Sequence, residues 1–468
     1  MLEFEIQKLF LTSALITENT LNNKDYFFNW INKRRESIKV EIKSVDFKDL
    51  ANWKFNEIDT NLKHTSNKFF SIEGVHIKTN YGNVREWTQP IINQPEIGFL
   101  GIITKTFNGV LYFLMQCKIE PGNINYVQLS PTLQATKSNY TKTHNGKSPP
   151  YLEYFIQKKN AIILMDQLQS EQGARFFKKR NRNIIIKINE DITVGDDFIW
   201  LTLGQIKDLM KYPNIVNMDT RSVLSGINFG NYSIMDLQKY FINSESNNFL
   251  FSTLKNGGEI NNFVDIISWI TNLKSKYELE VKLIPLKNVI GWGISKNEIF
   301  HKDRKYFTVI GVNVLISNRE VTEWCQPLIK SSQEGIIAFL IKKINNVIHF
   351  LVQAKIEAGN YDILELAPTV QCLTGNYRSG KNEYEVPFID LVLNAKKDNI
   401  IYSCMQSEEG GRFYKEQNLN MIVQVEDDFN EKLPEMYIWM TLNQIQAFIQ
   451  FNNYFNIQAR SLISAITF

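Results

Sequence analysis

Gln116-Cys117-Lys118-Ile119-Glu120-Pro121-Gly122-Asn123 returns 237 residues later as Gln353-Ala354-Lys355-Ile356-Glu357-Ala358-Gly359-Asn360. The same displacement carries Glu86-Trp87-Thr88-Gln89-Pro90 onto Glu323-Trp324-Cys325-Gln326-Pro327 and Pro131-Thr132-Leu133-Gln134 onto Pro368-Thr369-Val370-Gln371. It also carries Asn139-Tyr140 onto Asn376-Tyr377, and Gln169-Ser170-Glu171-Gln172-Gly173 onto Gln406-Ser407-Glu408-Glu409-Gly410. Toward both ends the displacement becomes 239: Trp30 and Trp53 fall on Trp269 and Trp292, and Trp200 and Arg221 on Trp439 and Arg460. A shift this constant over so many residues is a duplication, and units this long are two domains, not a solenoid. The expected division is 1–226 for a first repeat with an N-terminal helical extension, 227–262 for a linker with one short helix, and 263–468 for a second repeat. The linker is rich in Asn, Ser and Gly, with an apolar patch at Ile234 to Ile242.

Within a repeat the pattern is α+β. Tyr26, Phe27, Trp30 and Ile31 open an amphipathic helix. The stretches Phe69 to Lys78, Ile97 to Thr104, Val110 to Ile119 and Ile184 to Ile188 are β-branched or aromatic and bounded by Gly, Asn or Pro, so they read as strands. Thr202 and Gln205 form a capping-box pattern ahead of a helical run, repeated at Thr441 and Gln444. The expectation is a tandem duplication of a mixed-sheet domain with flanking helices.

Composition narrows the class. Of 468 residues 44% are hydrophobic and 22% charged, ordinary for a globular chain, and 52 basic against 49 acidic residues leave +3 with no basic block for nucleic acid. The four cysteines have no paired spacing, and no apolar run approaches the roughly 20 residues of a membrane span, so a cytoplasmic protein is expected. There is no G-x-G-x-x-G, no Walker loop and no zinc-ligand spacing among the five histidines. No metal or other cofactor is expected, and His64 and His301 read as structural.

The repeated polar residues carry the functional signal, because any duplicated core keeps its Leu and Ile. Lys118 and Glu120 share one face at a strand end. Pro121-Gly122 fits the centre of a type II turn, whose second central residue needs positive φ. Gln128, Ser130, Thr132, Gln134 and Thr136 alternate with apolar residues, a neutral hydrogen-bonding face suited to hydroxyls or a base edge. Arg175, Arg182 and Arg221, with Arg412 and Arg460 in the second repeat, could clamp a pyrophosphate, although a single Arg is more often a surface ion pair. Trp87 and Trp324 fit the core first and a stacking platform second. His144 faces Lys381 in the repeat alignment, so the two pockets are not equivalent.

These blocks together resemble the nucleotide-diphosphate-hexose 2,3-dehydratases of deoxysugar biosynthesis. The resemblance rests on Arg85-Glu86-Trp87-x-Gln89-Pro90, Gln128-Leu129-Ser130-Pro131-Thr132-x-Gln134-Ala135-Thr136, Ser138-Asn139-Tyr140 and Ser407-Glu408-Glu409-Gly410-Gly411-Arg412-Phe413-Tyr414. It spans nearly the whole chain, with one departure, Ala358 where the first repeat has Pro121. It implies two pseudo-twofold-related Nudix-like repeats without the acidic metal-binding box, a homodimer, and two nucleotide-sugar pockets of which one is non-catalytic. The implied reaction removes water from dTDP-4-keto-6-deoxyglucose to give a 3,4-diketo-2,6-dideoxy sugar, without nicotinamide, flavin or metal. A labile diketone implies a downstream 3-ketoreductase or aminotransferase as partner.

For that reaction our own assignment takes Glu120 as base, Lys118 as enolate stabiliser or phosphate ligand, and Tyr140 or His144 as acid, roles that the resemblance does not itself settle. Trp87, Gln89, Asn123, Gln128, Ser130, Thr132, Gln134, Thr136, Asn139, Tyr151, Arg175, Arg182 and Arg221 are assigned to substrate. The second pocket takes Trp324, Lys355, Glu357, Asn360, Thr369, Gln371, Asn376, Tyr377, Arg412 and Arg460. The first pocket is favoured as productive, because Ala367, Cys372 and Gly375 replace Ser130, Ala135 and Ser138 in the second. Two other readings stay open: a nucleotide-sugar binding protein without chemistry, and an isomerase of a 4-keto sugar nucleotide.

Overall fold

The computed structural model describes residues 3–468 except 20, 137–147, 158–159, 231–247, 255–256, 318–320, 374–385, 427 and 430–431. It is a mixed α+β structure built on two seven-stranded and two five-stranded sheets. The first large sheet runs Ile162–Ser170, Arg180–Lys187, Gly98–Phe107, Val110–Ile119, Phe198–Thr202. Arg180–Lys187 lies parallel to Gly98–Phe107, and its other pairings are antiparallel. Gly335–Ile344, Val347–Lys355, Gln417–Gln424 and their neighbours repeat the arrangement. The helices Lys24–Ser37, Leu203–Leu209 and Leu442–Ile449 stand where the patterns place them, and both Thr-x-x-Gln capping boxes form.

The repeats are laced through each other. Val40–Val45 of the first repeat pairs antiparallel with Phe307–Ile316 of the second, and its counterpart Leu279–Ile284 pairs with Ser71–Thr79 of the first. Each five-stranded sheet therefore borrows one strand. Gly122 N–H donates to Gly410 O at 2.8 Å, and Gly359 N–H donates to Gly173 O at 2.6 Å. Gly122 does not have the positive φ expected of a type II turn. Its glycine answers a different need: a Cβ there would lie 1.6 Å from Phe413 O, and one on Gly359 would lie 1.7 Å from Phe176 O.

The helices Met218–Ser225 and Ile457–Ser464 pack against each other between the repeats. Arg221 donates to Ser461 Oγ at 2.6 Å and to Ser407 O, while Arg460 donates to Ser222 Oγ and Ser170 O. Both guanidinium groups are buried, and burial lowers both pKa values, that of Arg460 to about 10. They are cross-repeat bolts, not pyrophosphate ligands. Charges this deep persist because each of the three guanidinium nitrogens donates to an oxygen.

The helix Asn248–Leu254 lies in the stretch read as linker; the apolar patch assigned there falls outside the described residues. This helix repeats the contacts of Glu3–Ala14. Ser13 Oγ donates to Leu111 O and accepts from Leu203 N–H; Ser252 Oγ does the same with Ile348 O and Leu442 N–H. Phe10 packs on Phe113 as Phe249 packs on Phe350. The leading helix is therefore duplicated too.

Candidate active site

The site begins at a fork. Gly98–Phe107 and Val110–Ile119 pair from Phe107↔Val110 back to Ile103↔Leu114 and then separate. Val127–Ser130 fills the gap along one strand and Leu133–Ala135 along the other. At the crotch Thr132 Oγ1 accepts from Ile103 N–H at 2.9 Å and donates to Leu114 O. Thr369 does the same between Leu340 and Leu351. The run from Gln128 to Thr136 is thus two short strands on different partners. It is not one strand with a polar face.

Beyond the fork the chain brings Gln134 against the end of the Lys118 strand. Lys118 Nζ donates to Gln134 O at 3.0 Å, and Gln134 Nε2 donates to Glu120 Oε1 at 2.6 Å. Asn217 Nδ2 donates to Gln134 Oε1 at 3.3 Å, while Asn217 Oδ1 caps the helix Met218–Ser225 through Thr220 N–H. Asp219 occupies the first turn of that helix.

These groups open into a cavity of about 810 Å³. Lys118, Glu120, Gln134, Thr136, Lys179 and Asp219 line it from the first repeat, and Trp324, Gln326, Glu409 and Arg412 from the second. Trp53, Phe69, Phe70 and His64 form an aromatic wall on which a base or sugar can stack. Arg412 lies over the Phe70 ring, 4.1 Å from its centroid, and donates to Gln94 Oε1 at 3.1 Å and Gly411 O at 2.7 Å. With Lys118 and Lys179 it gives the cavity three cationic groups for a diphosphate.

Three carboxyls, Glu120, Asp219 and Glu409, face the same space. A Cβ on Gly411 would lie 2.9 Å from Glu409 Oε1 and 3.5 Å from Glu120 Oε1, so the two acids approach the same stretch of backbone. Burial, with Glu171 and Glu120 nearby and Arg412 and Lys179 opposing, pushes Glu409 up to about 8. Burial, then Glu409, Glu120 and Glu171, raise Asp219 well above the usual carboxylate range against Lys118. Glu120 Oε2 is buried with no hydrogen-bond partner among the described residues. Among those residues no group of three or more His, Cys, Asp or Glu side chains is arranged to hold a metal ion.

The counterpart cluster keeps the scaffold and changes the acids. Lys355 Nζ donates to Gln371 O at 3.2 Å, Gln371 Nε2 to Glu357 Oε1 at 3.0 Å, and Asn456 Nδ2 to Gln371 Oε1 at 2.7 Å. Where the first site has Asp219 and Glu409, the second has Gln458 and Gln172.

The expected site residues divide accordingly. Lys118, Glu120, Gln134 and Thr136 come together in the cavity. Trp324 and Arg412, expected in the second pocket, line the first, because each repeat walls the other's site. By the same exchange Trp87, Gln89 and Arg175 leave the first: Gln89 accepts from Trp87 and donates to Ala174 O at 3.0 Å, and Arg175 stacks on Phe307 of the second repeat.

Several others are scaffold. Gln128 accepts from Ser407 Oγ at 2.8 Å, Ser130 donates to Gln116 O at 3.2 Å, and Asn123 and Asn360 lie in the turns that meet Gly410 and Gly173. Tyr151 donates to Thr193 O at 2.8 Å, and Arg182 forms a two-pronged ion pair with Asp166. Asn139, Tyr140, His144, Asn376 and Tyr377 lie outside the described residues. Sequence reasoning missed Asp219, Glu409, Lys179 and Gln326. The signal for the first two was a difference between repeats, Asp against Gln and Glu against Gln.

Comparison with known sequences adds a family. The profile described as NDP-hexose 2,3-dehydratase matches residues 24–227 and again 264–466. A dTDP-4-dehydro-6-deoxy-alpha-D-glucopyranose 2,3-dehydratase of Saccharopolyspora spinosa is 42% identical over 457 residues, covering 98% of this chain and 94% of the relative. Proteins of the same name from Amycolatopsis orientalis and Streptomyces violaceoruber are 41% and 37% identical; the alignments cover 97% and 94% of this chain, and 92% and 96% of the relatives. Among solved structures an ADP compounds hydrolase aligns with TM-score 0.21 and 15% identity over 34% of this chain and 83% of its own, too low a likeness to carry an argument.

Proposed function

The chain belongs to the NDP-hexose 2,3-dehydratase family, and from that premise we propose that it eliminates water across C2–C3 of dTDP-4-dehydro-6-deoxy-α-D-glucopyranose. The structural observation that best supports the reading is the Lys118–Gln134–Glu120 chain on the cavity wall, beside an aromatic face and cationic groups suited to a nucleoside diphosphate. The C4 ketone makes the C3 proton acidic. Glu120, oriented through one oxygen by Gln134, takes that proton with the other. The Lys118 ammonium steadies the charge that develops on O4. As the enolate collapses, C2=C3 forms, the C2–O bond breaks with its electron pair, and protonation of the departing hydroxyl gives water. The resulting C3 enol ketonises to the 3,4-diketone. A positioned base and a positioned acid each contribute about 10²–10⁴-fold.

Several finer readings go with this one. Each repeat is a Nudix-like domain, supported by a mixed sheet with one parallel pairing and flanking helices, and the reciprocal contacts support a pseudo-twofold between the repeats. The chain works as a cytoplasmic homodimer and hands its labile diketone to a 3-ketoreductase or aminotransferase; no helix among the described residues is long and apolar enough to cross a membrane. Incubation with the 4-keto sugar nucleotide, a 3-ketoreductase and NADPH tests the function by mass spectrometry. A product lighter by one water, after allowing for the added hydride, is expected. Intact substrate with dTDP still bound would support a binding protein instead, and a rearranged sugar of unchanged mass an isomerase.

A further inference from the structure

Between the two pseudo-equivalent sites the Lys–Gln–Glu hydrogen-bond chain is kept and the charged groups around it are not. Lys118, Glu120 and Gln134 have Lys355, Glu357 and Gln371 as counterparts with the same hydrogen bonds, while Asp219 and Glu409 face Gln458 and Gln172 across the duplication. Gln nearly matches Glu in shape, but its amide donates where a carboxylate only accepts, and it cannot carry an acidic proton. What separates the sites is therefore charge: two carboxyls of the first are amides in the second, and Lys179 of the first is Glu416 in the second.

Glu409 comes from the second repeat and lines the cavity beside Glu120; Asp219, 3% exposed, lies at the cavity margin in the first turn of its helix. Glu409 and Asp219 share this cavity with Glu120 and with Lys118, Lys179 and Arg412, and burial together with the neighbouring acids disfavours the charged form of Glu409 and of Asp219. Glu409 and Asp219 therefore favour holding a proton, and Glu120 is oriented as the base by the Gln134 amide. The proton has a use, because hydroxide is a poor leaving group.

We infer that Glu409 protonates the departing C2 hydroxyl, with Asp219 sharing the proton, so that the acid of the reaction is supplied to the first repeat's site by the second repeat. The inference rests on the dehydratase reading and completes it. Glu120 takes the C3 proton, the C3–H electrons become the C2=C3 bond, the C2–O pair leaves on oxygen, and Glu409 transfers its proton to that oxygen. In ketonisation the enol proton restores the acid while the proton on Glu120 passes to C2, which returns both carboxyls to their starting states.

The test uses full-length Glu409→Gln, Asp219→Asn and Glu120→Gln with the 4-keto sugar nucleotide and its 2-deoxy-2-fluoro analogue, whose fluoride leaves without an acid. Glu409→Gln and Asp219→Asn should bind dTDP within about threefold of wild type and lose about 10²–10⁴-fold in water elimination. Their deficit should shrink below about tenfold for fluoride release, while Glu120→Gln stays equally impaired on both. Equal deficits on both leaving groups, or a loss below about threefold on the natural one, overturn the inference. A wild-type chain inert toward both compounds overturns the dehydratase reading first, and this inference with it.

Discussion

Thr132→Val separates a structural role from a ligand role at the fork. Valine fills nearly the same volume, so no cavity opens, but it cannot accept from Ile103 N–H or donate to Leu114 O. Both strand residues are fully buried and Thr132 is 2% exposed, so water cannot replace the lost partner. Each stranded backbone group costs about 1–3 kcal/mol, or roughly 2–6 kcal/mol in all. The repeats exchange strands and should melt together, with an unfolding entropy of roughly 1 kcal/mol per degree at about 2.1 cal/mol/K per residue. The expected fall in Tm by scanning calorimetry is then about 2–6 °C, and Thr369→Val should give the same. Thr132→Ser keeps the hydroxyl, loses one methyl and should fall by about 1 °C. Steady-state kcat/KM of Thr132→Val below its melting range should stay within about threefold of wild type. A Tm unchanged within about 1 °C, with kcat/KM down tenfold or more, would show that Thr132 binds substrate and that the fork reading is wrong.

Arg412→Met should lower kcat/KM by about 30- to 150-fold, the equivalent of about 2–3 kcal/mol of charge-assisted hydrogen bonding, while Arg182→Met changes it less than about twofold because its partner is Asp166 on the surface. Steady-state kinetics with the 4-keto sugar nucleotide decides between the two positions. Glu365 is buried, accepts from Ser170 Oγ and is raised to about 8, chiefly by burial, with Glu357 adding to the rise and Arg460 and Lys274 opposing it. Its folded value exceeds its unfolded one, so the stability it contributes is fully present below about pH 4.5 and is lost as pH rises through about 8. Glu365→Gln, which copies Gln128, should match wild type in denaturant titrations near pH 4.5 and exceed it by up to a few kcal/mol at pH 9; a wild-type advantage at pH 9 would contradict this sign. Gly122→Ala puts a methyl against the Phe413 and Gly410 carbonyls and should cost at least about 3 kcal/mol, whereas Gly109→Ala, at φ 81° in open space, should cost about 1 kcal/mol by the same titration.

Much of this architecture was legible because it was written twice. The duplication, the main strands, the capping boxes and the Lys118–Glu120 pair all follow from local pattern plus repetition. Repetition misled where it was taken as a mark of function. Thr132 and Thr369, or Arg221 and Arg460, recur because both halves need the same fork and the same bolt. Asp219 and Glu409 were passed over because their counterparts are Gln. Local spacing also cannot show that Arg412 and Trp324 complete the first cavity, since that depends on contacts hundreds of residues apart in the chain. Gly122 shows the limit on a smaller scale: the turn pattern is real, but the reason for glycine is a carbonyl from the other repeat.

The lacing explains how two copies of one scaffold can diverge without losing either. The hydrogen bonds that hold the repeats together sit on Arg221, Arg460, Gly122 and Gly359, and their loss would damage both halves at once. The acids sit elsewhere. Asp219 belongs to the repeat that houses the cavity and Glu409 to the repeat that walls it, so either repeat can remove an acid from one site without touching the other. A Gln in place of Glu409 nearly keeps the packing and drops one charge. Around the second site Glu357, Glu408 and Glu416 are also buried and raised, so the charge there is redistributed, while the first site keeps Glu409 and Asp219 where the cavity can use them.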